Sequence, residues 1–308
     1  MNLALWLCRT ATRTPDAPAL FSGAEVHATY STFAERSAAI GAGLRASGVQ
    51  PGDRVAIFMG NCPEYLEVLY AIWFAGAVAV PINAKLHPRE AAWITQDAGA
   101  AFIFTSGLDT QTLHDGLEPH QAKIISTQGT AYSDLVATAP LQTPTQRSPD
   151  DLAWLFYTSG TTGKPKGVMI SFANIIAMTS AYFVDVDDVS KQDAILYAAP
   201  MSHGAGLYNF MFVLRGARHV IPKTGAFDPD EILDLAPKIN NVSMFAAPTM
   251  VRRLVDAAKR RGTPGEGIKT IVYAGGPMYL ADIIDAVNTM GPRFVQIYGQ
   301  GECPMAIT

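Results

Sequence analysis

The strongest constraint on this chain is an alternation of short apolar runs with stretches of helical period. Residues 54–59, 77–82 and 100–105 read as buried strands, and the segments between them place apolar side chains three and four apart. Ser31 or Thr32 with Glu35 makes a capping start, after which Phe33, Ser37, Ile40 and Leu44 recur on one helical face until Gly48. A second helix opens at Pro63, turns Tyr65, Leu66, Leu69, Ile72 and Trp73 inward and stops at Gly76, and a third covers 88–97. Strand, crossover helix and strand in succession require parallel pairing with right-handed connections. The spacing therefore predicts an α/β fold built on mostly parallel sheets.

From 109 to 149 the pattern weakens to one expected strand at 123–126, and 141–150 is a polar, proline-bearing connection. The alternation then resumes. Strands are expected at 153–156, 168–170, 194–199, 217–221, 242–246, 269–273 and 294–297, with a helix from Ser171 to about residue 183. A chain of 308 residues has room for two subdomains and a large core. Its net charge of -4 offers no basic footprint for nucleic acid. Cys8, Cys62 and Cys303 lie too far apart for a metal-binding pair or a disulfide framework, which fits a reducing compartment. Leu3, Trp6, Leu7 and Thr10 share one face of an amphipathic first helix, with no basic residue before it, so a signal peptide is not expected. No apolar stretch is long enough to span a membrane, and a cytoplasmic location is expected.

Between the strands at 153–156 and 168–170 runs Tyr157-Thr158-Ser159-Gly160-Thr161-Thr162-Gly163-Lys164-Pro165-Lys166-Gly167. Three glycines that can turn backbone N–H groups inward, four short hydroxyl side chains and two lysines suit an anion with several oxygens, a triphosphate above all. The common phosphate loop is excluded: the residue five before Gly163 is Thr158, and Lys164 precedes proline. Proline also disfavours an immediate helix, so the loop joins two strands.

In open parallel sheets, ligands bind beyond the carboxyl ends of the strands. There the later strands carry Pro200-Met201-Ser202-His203-Gly204, Ala247-Pro248-Thr249, Ala274-Gly275-Gly276-Pro277 and Tyr298-Gly299-Gln300-Gly301-Glu302. Taken singly, a histidine, a glycine pair, a tyrosine and a glutamate are ordinary core or surface residues. Their recurrence at equivalent places on successive strands points to one binding edge.

The loop matches every position of [YF]-[ST]-[SG]-G-[ST]-T-G-x-P-K-G, and in this the chain resembles the adenylate-forming superfamily: acyl-CoA synthetases, luciferases and peptide-synthetase adenylation domains. Pro200 to His203 is similar to that family's P-x-x-H segment, 274–277 to its glycine-rich turn and 298–302 to its Y-G-x-T-E segment. The segments Gly52 to Ile57 and Gly76 to Asn83 also fit. The resemblance implies the large N-terminal domain of such enzymes, two mostly parallel sheets with packed helices in αβαβα layers. It divides the chain into one α/β subdomain at 50–175, with the phosphate loop, and a second made of 1–49 with 176–308.

The resemblance also implies a reaction. A carboxylate attacks the α-phosphorus of ATP to give an acyl-adenylate and pyrophosphate, and coenzyme A then displaces AMP to form a thioester. Thr158, Ser159, Gly160, Thr161, Thr162, Gly163, Lys164 and Lys166 would hold phosphates. Glu302 with Thr161 would hold Mg²⁺. Gly275, Gly276, Pro277, Tyr298, Gly299, Gln300 and Gly301 would frame the nucleotide, with Tyr298 stacked on adenine. His203 would sit beside the substrate carboxylate, and Ser202, Gly204, Tyr208, Phe212, Ala247 and Gly275 would bound the acid. His203, Lys166 and Glu302 are the expected catalytic set. Small residues at 204–206 and 246–247, and no acidic side chain for an amino group, favour a fatty or aromatic acid.

Two departures stand out. Gly301 replaces the family's usual threonine. The chain also ends at Thr308, six residues after Glu302, without the T-G-D segment or the small C-terminal domain, so a fragment with little activity of its own is expected. A catalytically silent nucleotide-binding module, and an aminoacyl-adenylating domain serving a carrier protein, remain the alternatives.

Overall fold

The computed structural model describes residues 1–108, 110–118, 122–158 and 165–305. Thirteen strands lie among these residues: β1 (Pro18–Ser22), β2 (Glu25–Thr29), β3 (Arg54–Met59), β4 (Val78–Ile82), β5 (Ala100–Ser106), β6 (Lys123–Ser126), β7 (Leu152–Thr158), β8 (Lys166–Ser171), β9 (Ala194–Leu196), β10 (Arg218–Ile221), β11 (Val242–Ala246), β12 (Ile268–Tyr273) and β13 (Phe294–Gln296). They form two sheets, each in its own compact unit: Met1–Asp16 with Tyr30–Ala177, and Ala17–Thr29 with Met178–Thr308.

The first unit holds the sheet β6-β5-β3-β4-β7-β8, parallel throughout except for the final antiparallel pair β7–β8. Helix Pro63–Phe74 starts with proline in its first turn, where no N–H is needed, and is buried along nearly its whole length. Its Trp73 ring N–H donates to the carbonyl of Ala153 at 3.0 Å, fixing helix to strand. Residues 1–16 and 30–49 belong to this unit, whereas the sequence reading grouped 1–49 with 176–308. Buried side-chain contacts hold them there. The Asn2 amide donates to Trp73 O at 2.6 Å, Phe33 meets Tyr70 edge-on at 5.3 Å, and Arg36 pairs with the fully buried Glu67 at 3.1 Å. Glu67 also accepts from the Tyr132 phenol at 2.7 Å, so one carboxylate ties three helices together.

The second unit holds the sheet β13-β12-β11-β9-β10-β1-β2, parallel except for the hairpin β1–β2. Helices Pro229–Ile239, Pro248–Arg261 and Leu280–Met290 pack Leu233, Leu254 and Met290 against Val242, Met244 and Ile271 of this sheet. The expected strand at 194–199 is shorter, ending at Leu196. Residues 197–199 are as buried and apolar as a strand, but they lead toward Pro200, which has no N–H for a ladder. The weak region at 109–149 contains two seven-residue helices, Thr110–Gly116 and Thr130–Val136, too short to display a helical period. Among the described residues no helix is long and apolar enough to cross a membrane.

Candidate functional site

The expected site residues fall into two groups, one in each unit. In the second unit β9, β11, β12 and β13 are neighbours and parallel, so their carboxyl ends share one edge of the sheet. Each end leads into a turn built from the residues singled out above.

After β9 the chain tightens into the turn that carries His203. The His203 N–H donates to Pro200 O at 3.1 Å, and its Nδ1 lies 3.0 Å from the hydroxyl of the buried Ser202. Burial pushes the imidazole below the ordinary histidine range, which favours the neutral ring. Helix Gly204–Leu207 follows, and Gly206 is forced: a Cβ there would stand 1.8 Å from Met201 O. The Gly206 carbonyl in turn accepts from the buried Asn209 amide at 2.6 Å. A Cβ on Gly204 would lie 3.8 Å from the Phe245 ring at the end of β11. From Phe245 a chain of rings continues to Tyr208 at 5.6 Å and on to Tyr182 at 5.7 Å. Tyr208 and Phe212 are both fully buried.

Beyond β11, Ala247 caps helix Pro248–Arg261 with an extended backbone. Beyond β12, Gly275 has φ of +85°, a conformation that glycine adopts without strain, and among the described residues beyond its chain neighbours none comes within 4 Å of where its Cβ would stand. Gly276 reaches the first turn of the neighbouring helix, its Cβ position 3.8 Å from the Pro248 ring. The turns after β11 and β12 thus adjoin, and 275–277 are exposed.

Beyond β13 the buried Ile297 is followed by Tyr298, its ring half exposed and its hydroxyl accepting from the Gln300 amide at 2.7 Å. Gln300 and Cys303 exchange two backbone hydrogen bonds of 3.1 Å, closing a turn with Gly301 and Glu302 at its tip. Gly299 lies under that turn, since a Cβ there would come 2.4 Å from Met305 N. Glu302 is left exposed in that turn. Gly301 does not have positive φ, so a threonine would suit its backbone.

In the first unit the loop stem is an antiparallel hairpin with Tyr157 opposite Gly167 and Thr158 opposite Lys166. Lys166 is exposed at the start of β8. Ser159, Gly160, Thr161, Thr162, Gly163 and Lys164 lie outside the described residues. Among the described residues no three His, Cys, Asp or Glu side chains cluster as a metal site. The sequence marks Ala247-Pro248-Thr249 at this edge, but not that Phe245 and Pro248 stand beside Gly204 and Gly276. Phe245 sits near the end of a predicted strand, yet its contact with a turn some forty residues earlier has no signature in spacing.

Residues 7–308 match the sequence profile of a family described as AMP-binding enzyme. The chain belongs to that family. It is 31% identical over 303 residues to a feruloyl-CoA synthase of Amycolatopsis, covering 98% of this chain and 60% of the relative. It is 26% identical to the medium-chain fatty-acid–CoA ligase of Escherichia coli K12, covering 98% of this chain and 56% of that one. This AMP-binding chain therefore spans roughly three fifths of the length of these curated relatives. The inhibitor-bound N-terminal domain of FACL13 from Mycobacterium tuberculosis superposes with a TM-score of 0.86 at 25% identity, over 97% of this chain and 76% of that one. The o-succinylbenzoate coenzyme A synthetase MenE of Bacillus subtilis, in complex with AMP, superposes with a TM-score of 0.81 at 26% identity, over 96% and 73%. The fold is that of the N-terminal domains of adenylate-forming enzymes, and by lineage the relatives are acid–thiol ligases.

Proposed function

We propose that this chain provides the nucleotide-binding and acid-binding part of an ATP-dependent carboxylic acid–coenzyme A ligase that takes a fatty or aromatic acid. The reading rests above all on the shared edge of β9, β11, β12 and β13, where His203, Gly275, Gly276, Tyr298 and Glu302 stand on successive turns. Relatives named as feruloyl-CoA synthase and as fatty-acid–CoA ligase support the acid class.

In the first step a carboxylate oxygen bonds to the α-phosphorus of ATP while the bond to the bridging oxygen breaks and pyrophosphate leaves. Two anions must meet, so the protein has to provide fixed N–H donors and positive charge. Thr158 and Lys166, with Ser159 to Lys164, would hold the phosphates, Lys166 acting as a point charge. Gly275, Gly276 and Pro277 would border the adenine, and Tyr298 would stack on it, its hydroxyl already engaged by Gln300. His203, neutral and hydrogen-bonded to Ser202, would orient the substrate carboxylate without adding a charge that holds it back. In the second step the thiol sulfur of coenzyme A bonds to the acyl carbon, AMP leaves and the thiol proton is lost.

Glu302 fits a magnesium ligand on its own chemistry. Mg²⁺ keeps several waters and is usually bound through one or two carboxylates together with substrate phosphates, and the exposed carboxylate of Glu302 can serve as one of them. The ion supplies charge neutralisation at the phosphate oxygens.

Acid-dependent exchange of labelled pyrophosphate into ATP by the full-length protein tests the reading, with fatty, aromatic and amino acids compared. Exchange with fatty or aryl acids supports it. Exchange with amino acids alone would make the chain an aminoacyl-adenylating domain, and ATP binding without any exchange a silent nucleotide-binding module.

A further inference from the structure

The hairpin β7–β8 sits at the border of its sheet and is held there unevenly. On its inner side the ladder from β7 to β4 has, among the described residues, the single pair Ala79↔Trp154. Tyr157 and Thr158 lie further along β7 and pair with Gly167 and Lys166 of the edge strand β8. The end of the hairpin from which the loop departs thus depends on contacts outside the sheet.

Tyr157 makes such a contact. Its phenol donates to Asp97 Oδ2 at 2.7 Å, across sixty residues of sequence. Asp97 ends helix Pro88–Asp97, which is anchored at its start by a capping box between His87 and Glu90. The ring lies against Gly167, where a Cβ would come 3.1 Å from Cζ and 3.2 Å from Cε2. The same side chain packs with Trp93 and Leu155 on the cluster under that helix. Burial first, and then the bond to Asp97 and its charge, push the phenol above its ordinary range and keep it a donor. The family pattern accepts phenylalanine at this position, so the hydroxyl and its bond are features of this chain beyond what the pattern requires.

We propose that Tyr157 and Asp97 are positioning residues for Thr158 and Lys166. Their hydrogen bond fixes the stem strands so that Thr158 and Lys166 meet the phosphates of ATP in one geometry. The inference rests on the reading of this loop as the ATP-phosphate site. Neither residue touches the nucleotide; both act through the stem.

The test is calorimetric titration of the chain with Mg-ATP, alongside KM values for ATP and for the acid in pyrophosphate exchange. Tyr157→Phe and Asp97→Ala should each weaken ATP binding about threefold to tenfold, the range set by loss of one net hydrogen bond. The acid KM should stay at the wild-type value. The double variant should be no weaker than either single, because both remove the same bond. Asp97→Asn, which keeps an acceptor oxygen, should restore most of the affinity. Unchanged ATP binding in either single variant, additive losses in the double, or an equal rise in the acid KM would overturn the proposal. If the wild-type chain itself fails to bind Mg-ATP, the proposed function falls and this inference with it. Binding by the wild type and by both variants alike refutes only the clamp.

Discussion

Replacing Gly206 by alanine tests whether the turn after β9 positions the acid. A Cβ there would stand 1.8 Å from Met201 O, and moving it out to ordinary contact at 3.4 Å requires a shift of about 1.6 Å. The obstacle is backbone, so no rotamer change relieves it. The Gly206 φ is not positive, so the penalty comes from space alone. Movement at Gly206 would carry its N–H bond to His203 O and its carbonyl bond from Asn209 along with it. His203 is therefore displaced by a sizeable fraction of that shift. Overpacking of this kind costs about 1–3 kcal/mol, and misplacing a group at a reacting centre by about 1 Å lowers turnover on the order of a hundredfold. Acid-dependent pyrophosphate exchange by Gly206→Ala should fall by about that factor, with the KM for ATP within about twofold of wild type and a melting temperature lower by roughly 5 °C. Gly204→Ala controls for packing alone, since its Cβ would meet the Phe245 ring at 3.8 Å, an ordinary contact, and it should melt within about 1 °C of wild type. Wild-type exchange and melting in Gly206→Ala would refute the packing argument, and a loss confined to ATP binding would show that the turn serves the nucleotide instead.

His219 is fully buried with Nδ1 2.9 Å from the Tyr197 hydroxyl, and burial pushes its pKa down from 6.5 to about 3. Protons then favour the unfolded chain, so this contribution is complete above about pH 6.5 and is lost as pH falls toward 3; at about 1.4 kcal/mol per unit it amounts to about 3 kcal/mol by pH 4. Urea denaturation should show the His219→Phe protein losing less stability than wild type between those pH values, and parallel losses would contradict the assignment. Lys166→Ala should weaken Mg-ATP binding about tenfold to a hundredfold by loss of a charged contact, while Glu302→Gln should raise the Mg²⁺ concentration that half-saturates exchange. Titrations unchanged in both variants would refute the roles proposed for these two residues. Glu67→Gln should lower unfolding free energy by about 3 kcal/mol, moderated by the 28% exposure of Arg36, because it leaves that guanidinium without its carboxylate. An unchanged denaturation midpoint would show that the pair contributes nothing.

What could be read from the chain beforehand was whatever contiguous residues encode. The parallel sheets follow from strand and helix periods, and the turns at 274–277 and 298–302 from glycines needed for local backbone reasons: Gly275 for its positive φ and Gly299 for the close pass of Met305. The hairpin β1–β2 was missed. Its sole local mark is Gly23 at φ +59° between two mixed-polarity runs, and the strand that stabilises it, β10, pairs Leu20 with His219 some two hundred residues later. The grouping of 30–49 failed for the same reason, since the burial of Glu67 against Arg36 and Tyr132 joins three helices that spacing cannot relate. Within the candidate site the same division holds. Residue types and their turns were legible, whereas the side chains that aim them are long-range partners: Phe245 beside Gly204, Pro248 beside Gly276, Asp97 bonded to Tyr157. Chemistry at a strand edge is thus written locally, while its alignment depends on packing between distant segments. Substitutions in the second set should therefore alter KM values and stability more than they alter the kind of reaction supported.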